Sequence, residues 1–165
     1  YLAQNRAPGL NRGFAMEAWQ LTDQAACKAL RKEARALHRP EAPLQIAGSD
    51  IDQEALTLCK KHLHQAGLNN KITVRQMDLR NLRLEDTDIC FVTNPPYGER
   101  LGDRKKAAQV AASLGRMLAA HPGARLCVIT ADPAFEAQVK KRAARRRRLY
   151  NGRLECEFLV LDNKD

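Results

Sequence analysis

Residues 89–97, Ile-Cys-Phe-Val-Thr-Asn-Pro-Pro-Tyr, join an unbroken apolar run to a double proline. The run, taken from Asp88 to Thr93, is typical of a strand that is buried on both faces in a parallel sheet. Two consecutive prolines fix their own φ angles and restrict the residue before each, so the chain can neither continue the strand nor enter a helix. We therefore predict a rigid loop directly after this strand.

The loop Asn94-Pro95-Pro96-Tyr97 carries groups suited to holding a flat amino group. In a rigid loop, the side-chain oxygen of Asn94 and the carbonyl of Pro95 can act as two convergent acceptors for both hydrogens of an NH₂ group. Tyr97 adds an aromatic face on which a planar base or amide can stack. Such acceptors would turn the amine lone pair toward an electrophilic methyl group, and no metal is required. The alternative is an Asn-Pro turn with a buried tyrosine.

Helical and strand patterns alternate around this loop. Strands are predicted at 44–50, 71–77, 88–93 and 125–131, and helices at 14–37 (with a break near 22–23), 55–66, 104–121 and for about two turns after 132–133. Near the C-terminus, Asn151-Gly152 between two apolar runs predicts a hairpin with a type I′ turn. We predict one α/β domain over residues 1–165, with a doubly wound, Rossmann-like parallel sheet, helices on both faces and a C-terminal antiparallel hairpin.

Two aspartates follow the first two predicted strands, where ligands bind in such sheets. Asp50 could accept both hydroxyls of a cofactor ribose, but it could equally be a solvated acid or a helix cap. Asp52 is the better candidate for the helix N-cap. Asp78 could accept a hydrogen bond from an adenine amino group while Leu79 covers the ring, although alone it indicates an ordinary turn aspartate.

The composition points to a polyanionic partner. Twenty-eight Lys and Arg against 19 Asp and Glu give a net charge of +9 and a pI near 9.6, which favours nucleic acid. No apolar run is long enough to cross a membrane. The five cysteines show neither a zinc motif nor a disulfide framework, which predicts a reduced, cytoplasmic protein without a metal site.

Residues 140–148 contain seven cations. A phosphate-binding rim and a solvated helix end that leads into an edge strand explain this tract equally well. Arg100 is a further candidate for phosphate, with a salt bridge to Glu99 or Asp103 as its equal alternative. The candidates in the tract for contacts with nucleic acid are Arg145, Arg146, Arg147 and Arg148.

The order of these strands and motifs resembles that of the S-adenosylmethionine-dependent methyltransferases that modify exocyclic amino groups. Three longer stretches of sequence narrow the resemblance: Asn94-Pro-Pro-Tyr-Gly-Glu-Arg-Leu-Gly102, Ala7-Pro-Gly-Leu-Asn11 and Leu149-Tyr-Asn-Gly152. They look most like the bacterial large-subunit ribosomal RNA guanine-N2 methyltransferases, a group also described as N6-adenine-specific DNA methylases. The resemblance covers nearly the whole chain.

This resemblance implies a cofactor, a substrate and site residues. S-adenosyl-L-methionine would be the methyl donor, with Asp50 and Ile51 at its ribose and Asp78 and Leu79 at its adenine. The loop 94–97 would hold the target amine, guanine N2 in 23S ribosomal RNA. Gly98 would permit the tight turn that leaves the loop.

One departure from the family concerns the cofactor loop. The family begins its catalytic domain with a strand and a glycine-rich loop around the methionine part of the cofactor, and none of the nine glycines here forms a Gly-x-Gly. We therefore expect the chain to be the C-terminal part of such a domain, without the central strand of its sheet, with apolar edges exposed on the neighbouring strands, and inactive by itself.

Three other functions fit the sequence. An N6-adenine DNA methyltransferase uses the same loop chemistry. A methyltransferase acting on a protein glutamine would do so too, but the charge of +9 disfavours it. A nucleic-acid-binding module without catalysis is the remaining alternative.

Overall fold

In the computed structural model, residues 1–85, 88–98 and 103–163 are described. The chain forms two compact units. One comprises residues 1–48 and 58–74, and the other comprises residues 49–57 and 75–165. The predicted site residues that are described all belong to the second unit, which holds most of the buried side chains found in the described ranges.

The helices follow the predicted pattern, with the break where it was expected. A 3₁₀ helix spans Ala15–Ala18, and helix α1 spans Gln24–Ala36. Asp23 caps α1 by accepting hydrogen bonds from the backbone N–H groups of Ala25 and Ala26, both at 2.9 Å. The other helices described are α2 (Gln53–Gln65), a 3₁₀ helix (Leu79–Asn81), α3 (Arg104–Ala120) and α4 (Phe135–Val139). At five residues, α4 is shorter than the predicted two turns.

The strands form two sheets. The first pairs β1 (Ala47–Asp50) with β2 (Thr73–Gln76). The second contains β3 (Cys90–Thr93), β4 (Arg125–Thr130), β5 (Arg145–Asn151) and β6 (Leu154–Asp162). Its strand order is β3-β4-β6-β5, in which β3 and β4 are parallel and the other two pairs are antiparallel. The antiparallel terminal hairpin is confirmed.

The turn of this hairpin differs from the prediction. Asn151 pairs with Leu154, so the two loop residues are Gly152 and Arg153. Gly152 has a φ of 63°, whereas Arg153 is not among the residues with positive φ. Positive φ at the first loop residue alone is the pattern of a type II′ turn, with glycine at that position. The predicted type I′ turn is therefore wrong, because Asn151 ends the strand instead of entering the turn.

The main core lies between one face of the four-stranded sheet and helices α3 and α4. Leu126 and Val128 of β4 and Leu159 of β6 are almost fully buried there. The two helices touch closely at Gly115, where an added Cβ would lie 2.4 Å from the carbonyl oxygen of Val139. Only glycine allows this approach.

Strand β3 does not match the prediction of burial on both faces. Cys90 is exposed and Val92 is 76% exposed, whereas Phe91 packs against the core and meets the ring of His121 edge-on. Successive side chains of a strand point to opposite faces, so Cys90 and Val92 lie on the face opposite Phe91, and that face is exposed; β3 is also an outer strand, paired with β4 alone among the described strands.

None of the helices described is long and apolar enough to cross a membrane.

Candidate active site

The loop that follows β3 presents an accessible acceptor on a fixed backbone. Asn94 is exposed, Pro95 is buried and Tyr97 is half-buried. The hydroxyl of Tyr97 donates a hydrogen bond to Oδ1 of Asn94. A carbonyl oxygen has two lone pairs, so Oδ1 retains acceptor capacity for a second donor.

Steric constraints explain why residue 98, directly after this loop, is a glycine. Gly98 is buried, has a φ of 73°, and approaches the start of α3 so closely that an added Cβ would lie 2.9 Å from the Cα of Arg104. Left-handed φ and close backbone approach both require glycine. Gly98 thus has the backbone conformation that the predicted tight turn requires, and the residues that would complete this turn, 99–102, lie outside those described.

Tyr97 links the loop to the terminal hairpin. Burial raises the pKa of its phenol, while hydrogen bonds with the side chains of Asn151 and Asn94 act to lower it, and Cys156 lies close to the same hydroxyl. A phenol is protonated at neutral pH even at its ordinary pKa, so the Tyr97 hydroxyl can donate to Asn94, and the raised pKa extends this range to higher pH. Asn151, which the sequence analysis used as a hairpin signal and as part of the Leu149-Tyr-Asn-Gly152 string, therefore lies close to Tyr97.

Asp50 lies exposed at the end of β1. Its Oδ1 accepts a hydrogen bond from the backbone N–H of Asp52 at 2.9 Å, and no described residue bonds to its Oδ2. Ile51 is exposed beside it, and its carbonyl accepts a bond of 3.0 Å from Nε2 of Gln76. Asp52 accepts from the N–H of Glu54 at 2.8 Å at the start of α2, which confirms the predicted cap.

Asp78 is held within its own turn. It accepts hydrogen bonds from the backbone N–H of Arg80 at 2.8 Å and from the guanidinium of the same residue, with both carboxylate oxygens 3.0 Å from Nε. The Arg80 guanidinium lowers the pKa of Asp78 to about 2. Leu79 packs against the core. The turn role that the sequence analysis offered as the alternative for Asp78 is thus present, and a ligand would have to share its carboxylate with Arg80.

The arginine tract lies on β5, where alternate side chains point to opposite faces. Arg146 pairs with Glu136 at 2.8 Å and Glu157 at 3.4 Å, and Arg148 pairs with Glu155 at 3.1 Å. Arg145 and Arg147 project on the other face, are exposed and make no ion pair with the residues described. Arg100 lies outside the described residues.

A cleft that the sequence analysis missed opens beside Tyr97. It has a volume of about 470 Å³ and lies between the loop after β3, the start of α3 and the turn after β4. Asp132 accepts from the N–H of Ala134 at 2.9 Å through Oδ1 and from Nε2 of Gln138 at 2.9 Å through Oδ2. The Asp-Pro pair was visible in the sequence as a helix start, but nothing local placed it next to Tyr97.

The structure brings some of the predicted residues together. Asn94 and Tyr97 are in direct contact, and the Asp50 carbonyl accepts from the backbone N–H of Met77, the residue before Asp78, at 2.9 Å, whereas the carboxylates of Asp50 and Asp78 each bond to a residue two positions further on. Within the described residues, no hydrogen bond connects the loop, Asp50 and Asp78 to one another.

A known family has a domain of this kind. The UPF0020 family, described as "RMKL-like, methyltransferase domain", matches residues 1–159. The chain belongs to this family. Its α/β fold is that of class I methyltransferases, as the solved structures of relatives show.

The similar proteins agree with this assignment. The Ribosomal RNA large subunit methyltransferase K/L of Methylococcus capsulatus is 35% identical to this chain and covers 98% of it. The protein of the same name from Shewanella amazonensis is 33% identical and covers 95%. The structure of SMU.472 complexed with SAH superposes with a TM-score of 0.88 at 31% identity over 95% of this chain. The chain spans only 22% and 23% of the two K/L proteins and 42% of SMU.472.

Proposed function

We propose that the full-length protein transfers a methyl group from S-adenosyl-L-methionine to the N2 amine of a guanine in large-subunit ribosomal RNA. The observation that carries this proposal is the Asn94–Tyr97 loop, which presents an exposed acceptor in a chain of a methyltransferase family. The K/L relatives act, by their names, on large-subunit ribosomal RNA.

The loop performs the part of the reaction that concerns the amine. An aryl amine is a weak nucleophile because its lone pair is delocalised into the ring. When Asn94 Oδ1 and the Pro95 carbonyl accept its two hydrogens, the lone pair is directed away from the ring plane. A preorganised acceptor pair costs no reorganisation at the moment of reaction. Tyr97 contributes a ring face for the base and holds Asn94 through its hydroxyl.

The residues at the strand ends fit the cofactor. S-adenosylmethionine supplies an electrophilic methyl group on its sulfonium sulfur. Asp50, exposed and with its Oδ2 unbonded among the residues described, suits the hydroxyls of a ribose. Asp78 is an ionised acceptor at neutral pH, as any ordinary aspartate is, and the Arg80 guanidinium, which lowers its pKa to about 2, keeps it ionised in more acidic solution as well. Ile51 and Leu79 offer apolar surface beside these two acids.

The face of β5 that carries Arg145 and Arg147 has the positive charge that binding to RNA requires. Arg145 and Arg147 are available to neutralise phosphates, whereas Arg146 and Arg148 are already paired with carboxylates. Phosphate contacts supply most of the sequence-independent affinity for nucleic acid. This role also agrees with the net charge of +9 and with a cytoplasmic place of action.

The test is methyl transfer by the full-length protein. Purified protein, unmethylated large-subunit RNA and radiolabelled cofactor should yield labelled RNA, and mass spectrometry of nuclease digests should locate the methyl group on guanine N2. Methylation of N6-adenine in DNA instead would establish the first alternative. RNA binding without any methyl transfer would establish the binding module and overturn the proposal.

A further inference from the structure

The first compact unit, residues 1–48 and 58–74, has a strongly basic composition. It contains ten Lys and Arg against four Asp and Glu, and so contributes six of the nine net positive charges, although it holds fewer than half of the residues. All the described residues that the proposed function uses lie in the other unit. The charge of the first unit therefore has no role so far, and a polyanion is the partner that such a charge attracts.

Within this unit, the loop of residues 7–13 is held against α1 by one arginine. Nη1 of Arg31 donates to the carbonyl of Leu10 at 3.0 Å, and Nη2 donates to the carbonyl of Arg12 at 2.7 Å. The same guanidinium pairs with the carboxylate of Glu17. Because Arg31 already has these three partners, it fixes the loop in place and has little capacity left for a ligand.

A groove of about 290 Å³ lies between this loop and α1. Arg12 and Arg35 both line it, are exposed, and form no ion pair with any residue that the structure describes. The guanidinium carbon of Arg12 lies 4.7 Å from the centre of the Phe14 ring, and this contact orients the side chain. Among the described residues that line the groove, the one acid is Glu17, which is paired with Arg31.

Two guanidinium groups without carboxylate partners suit the phosphates of a nucleic acid. Arginine donates through a planar fork that matches the oxygen atoms of a phosphate group. A small anion would gain only these local contacts, whereas an RNA backbone also gains from the positive charge of the whole unit. The observations therefore favour RNA as the ligand of this groove.

We propose that the groove between the loop 7–13 and α1 is a second RNA-binding site, in which Arg12 and Arg35 bind the phosphate backbone. This inference rests on the proposed function for its partner, because RNA is the substrate there. It also gives the stretch Ala7-Pro-Gly-Leu-Asn11 a physical role. Gly9 has a φ of 75°, and an added Cβ would lie 2.6 Å from Cζ of Phe14, so glycine lets the chain turn and place Arg12 over that ring.

The test compares two double variants of the full-length protein that change the charge equally. Arg12→Gln with Arg35→Gln removes the cations of the groove, whereas Lys28→Gln with Lys32→Gln removes two exposed cations of α1 that do not line it. Fluorescence anisotropy with a labelled fragment of large-subunit ribosomal RNA measures both. The groove variant should bind about 10-fold more weakly at low salt and should lower the slope of log affinity against log salt by about 1 to 2. The lysine variant should keep the slope within about 0.5 of wild type.

Kinetic measurements separate RNA binding from catalysis. In methyl-transfer assays, the groove variant should raise KM for RNA and leave kcat within about twofold, because Arg12 and Arg35 touch neither the amine nor the methyl donor in the proposal. Its affinity for S-adenosylmethionine, measured by calorimetry, should be that of wild type. A loss of cofactor affinity with an unchanged salt slope would overturn the inference, because the groove would then bind the carboxylate of the cofactor.

A single variant covers the case in which the double groove variant does not fold. Arg35→Gln replaces a side chain that forms no hydrogen bond or ion pair with any described residue, so it should fold and lower the slope by about 1. Arg12→Lys with Arg35→Lys keeps both charges and should retain most of the slope of wild type.

The outcomes distinguish this inference from the proposed function. Equal slopes for the groove variant and the lysine variant would overturn the site, because the unit would then attract RNA through its general charge, and guanine methylation by the wild-type protein would still stand. A reduced slope for the groove variant alone, with methylation of a different base, would support the site and overturn the proposed function. A full-length protein that binds no RNA would overturn both.

Discussion

Strands β3 and β5 are the two outer strands of the same sheet, and their exposed surfaces differ in chemistry. β3 carries Cys90, Phe91, Val92 and Thr93, none of them charged, and the loop proposed to bind the amine follows it. β5 carries four arginines along its length, and two of these side chains are proposed to bind RNA. Charged residues on an outer strand also prevent unwanted pairing with other chains. An outer strand can thus serve either as a support for a loop or as a binding surface.

The largest effect should come from the loop after β3. Asn94→Ala in the full-length protein should lower turnover by about 100-fold or more, since the acceptor acts on the amine in the transition state. The affinity for S-adenosylmethionine, measured by calorimetry, should change by less than about threefold, because Asn94 does not face the cofactor in the proposal. Asn69→Ala, at an exposed asparagine of the other unit, is the control. Near-normal turnover of Asn94→Ala would remove this residue from the mechanism.

A smaller loss should follow when the aromatic face is removed. Tyr97→Ala should weaken the binding of RNA substrate by about 5- to 100-fold, the range of base stacking on an aromatic side chain. Tyr97→Phe keeps the ring and should bind RNA within about threefold of wild type. Fluorescence anisotropy with a labelled RNA measures both variants. If the two variants bind equally weakly, the hydroxyl and not the ring is what matters at this position.

Substitutions on β5 should change how strongly the affinity for RNA depends on salt concentration. Replacing Arg145 and Arg147 by Gln should lower the slope of log affinity against log salt by about 2, one unit for each phosphate that is no longer neutralised. The matched replacement of Arg146 and Arg148 should leave the slope nearly unchanged, because Glu136, Glu157 and Glu155 already neutralise these two guanidinium groups. Equal slopes for the two double variants would show that the unpaired face of β5 is an ordinary solvated surface.

The smallest effect concerns the exposed side chain of β3. Val92→Thr should change the free energy of unfolding by less than about 0.5 kcal/mol, because the side chain is mostly in water already. Val128→Thr makes the same change at a fully buried position of β4 and should cost about 1–3 kcal/mol for the desolvated hydroxyl. Chemical denaturation measures both. A cost at Val92 equal to that at Val128 would mean that β3 is covered in the protein studied.

Two helices with the same sequence pattern show where prediction from sequence ends. Both α1 and α3 carry an apolar stripe at helical spacing, and both helices were predicted near their observed bounds. Leu118 of α3 is 1% exposed in the core, whereas Leu30 of α1 is 64% exposed and no residue of α1 is buried. Periodicity shows that a helix has an apolar side, because it reflects the geometry of one helix. It does not show whether another element covers that side.

In the candidate site, too, the features that depend on neighbouring residues could be predicted from the sequence, whereas those that depend on distant segments could not. Asn94, Asp52 and Gly98 could be interpreted from the sequence, since proline restrictions, helix capping and tight turns act over a few residues. The bond that Asp78 makes to Arg80 is also local, and the sequence analysis allowed for it as a turn aspartate. The neighbours of Tyr97 were not predictable, because Asn151 reaches it only through the pairing of β6 with both β4 and β5.

The sequence by itself determined the alternation of strands and helices, the rigid acceptor loop and the basic character of the chain. These properties depend on dihedral restrictions, side-chain periodicity and charge, which each residue carries into any fold. Tertiary structure alone decided that β3 is an outer strand of the described sheet, that the arginines of β5 separate into a paired and an unpaired face, and that the terminal hairpin brings Asn151 close to Tyr97. Each of these depends on which distant segments meet, and therefore on the free energy of the whole packed arrangement and not on any local pattern.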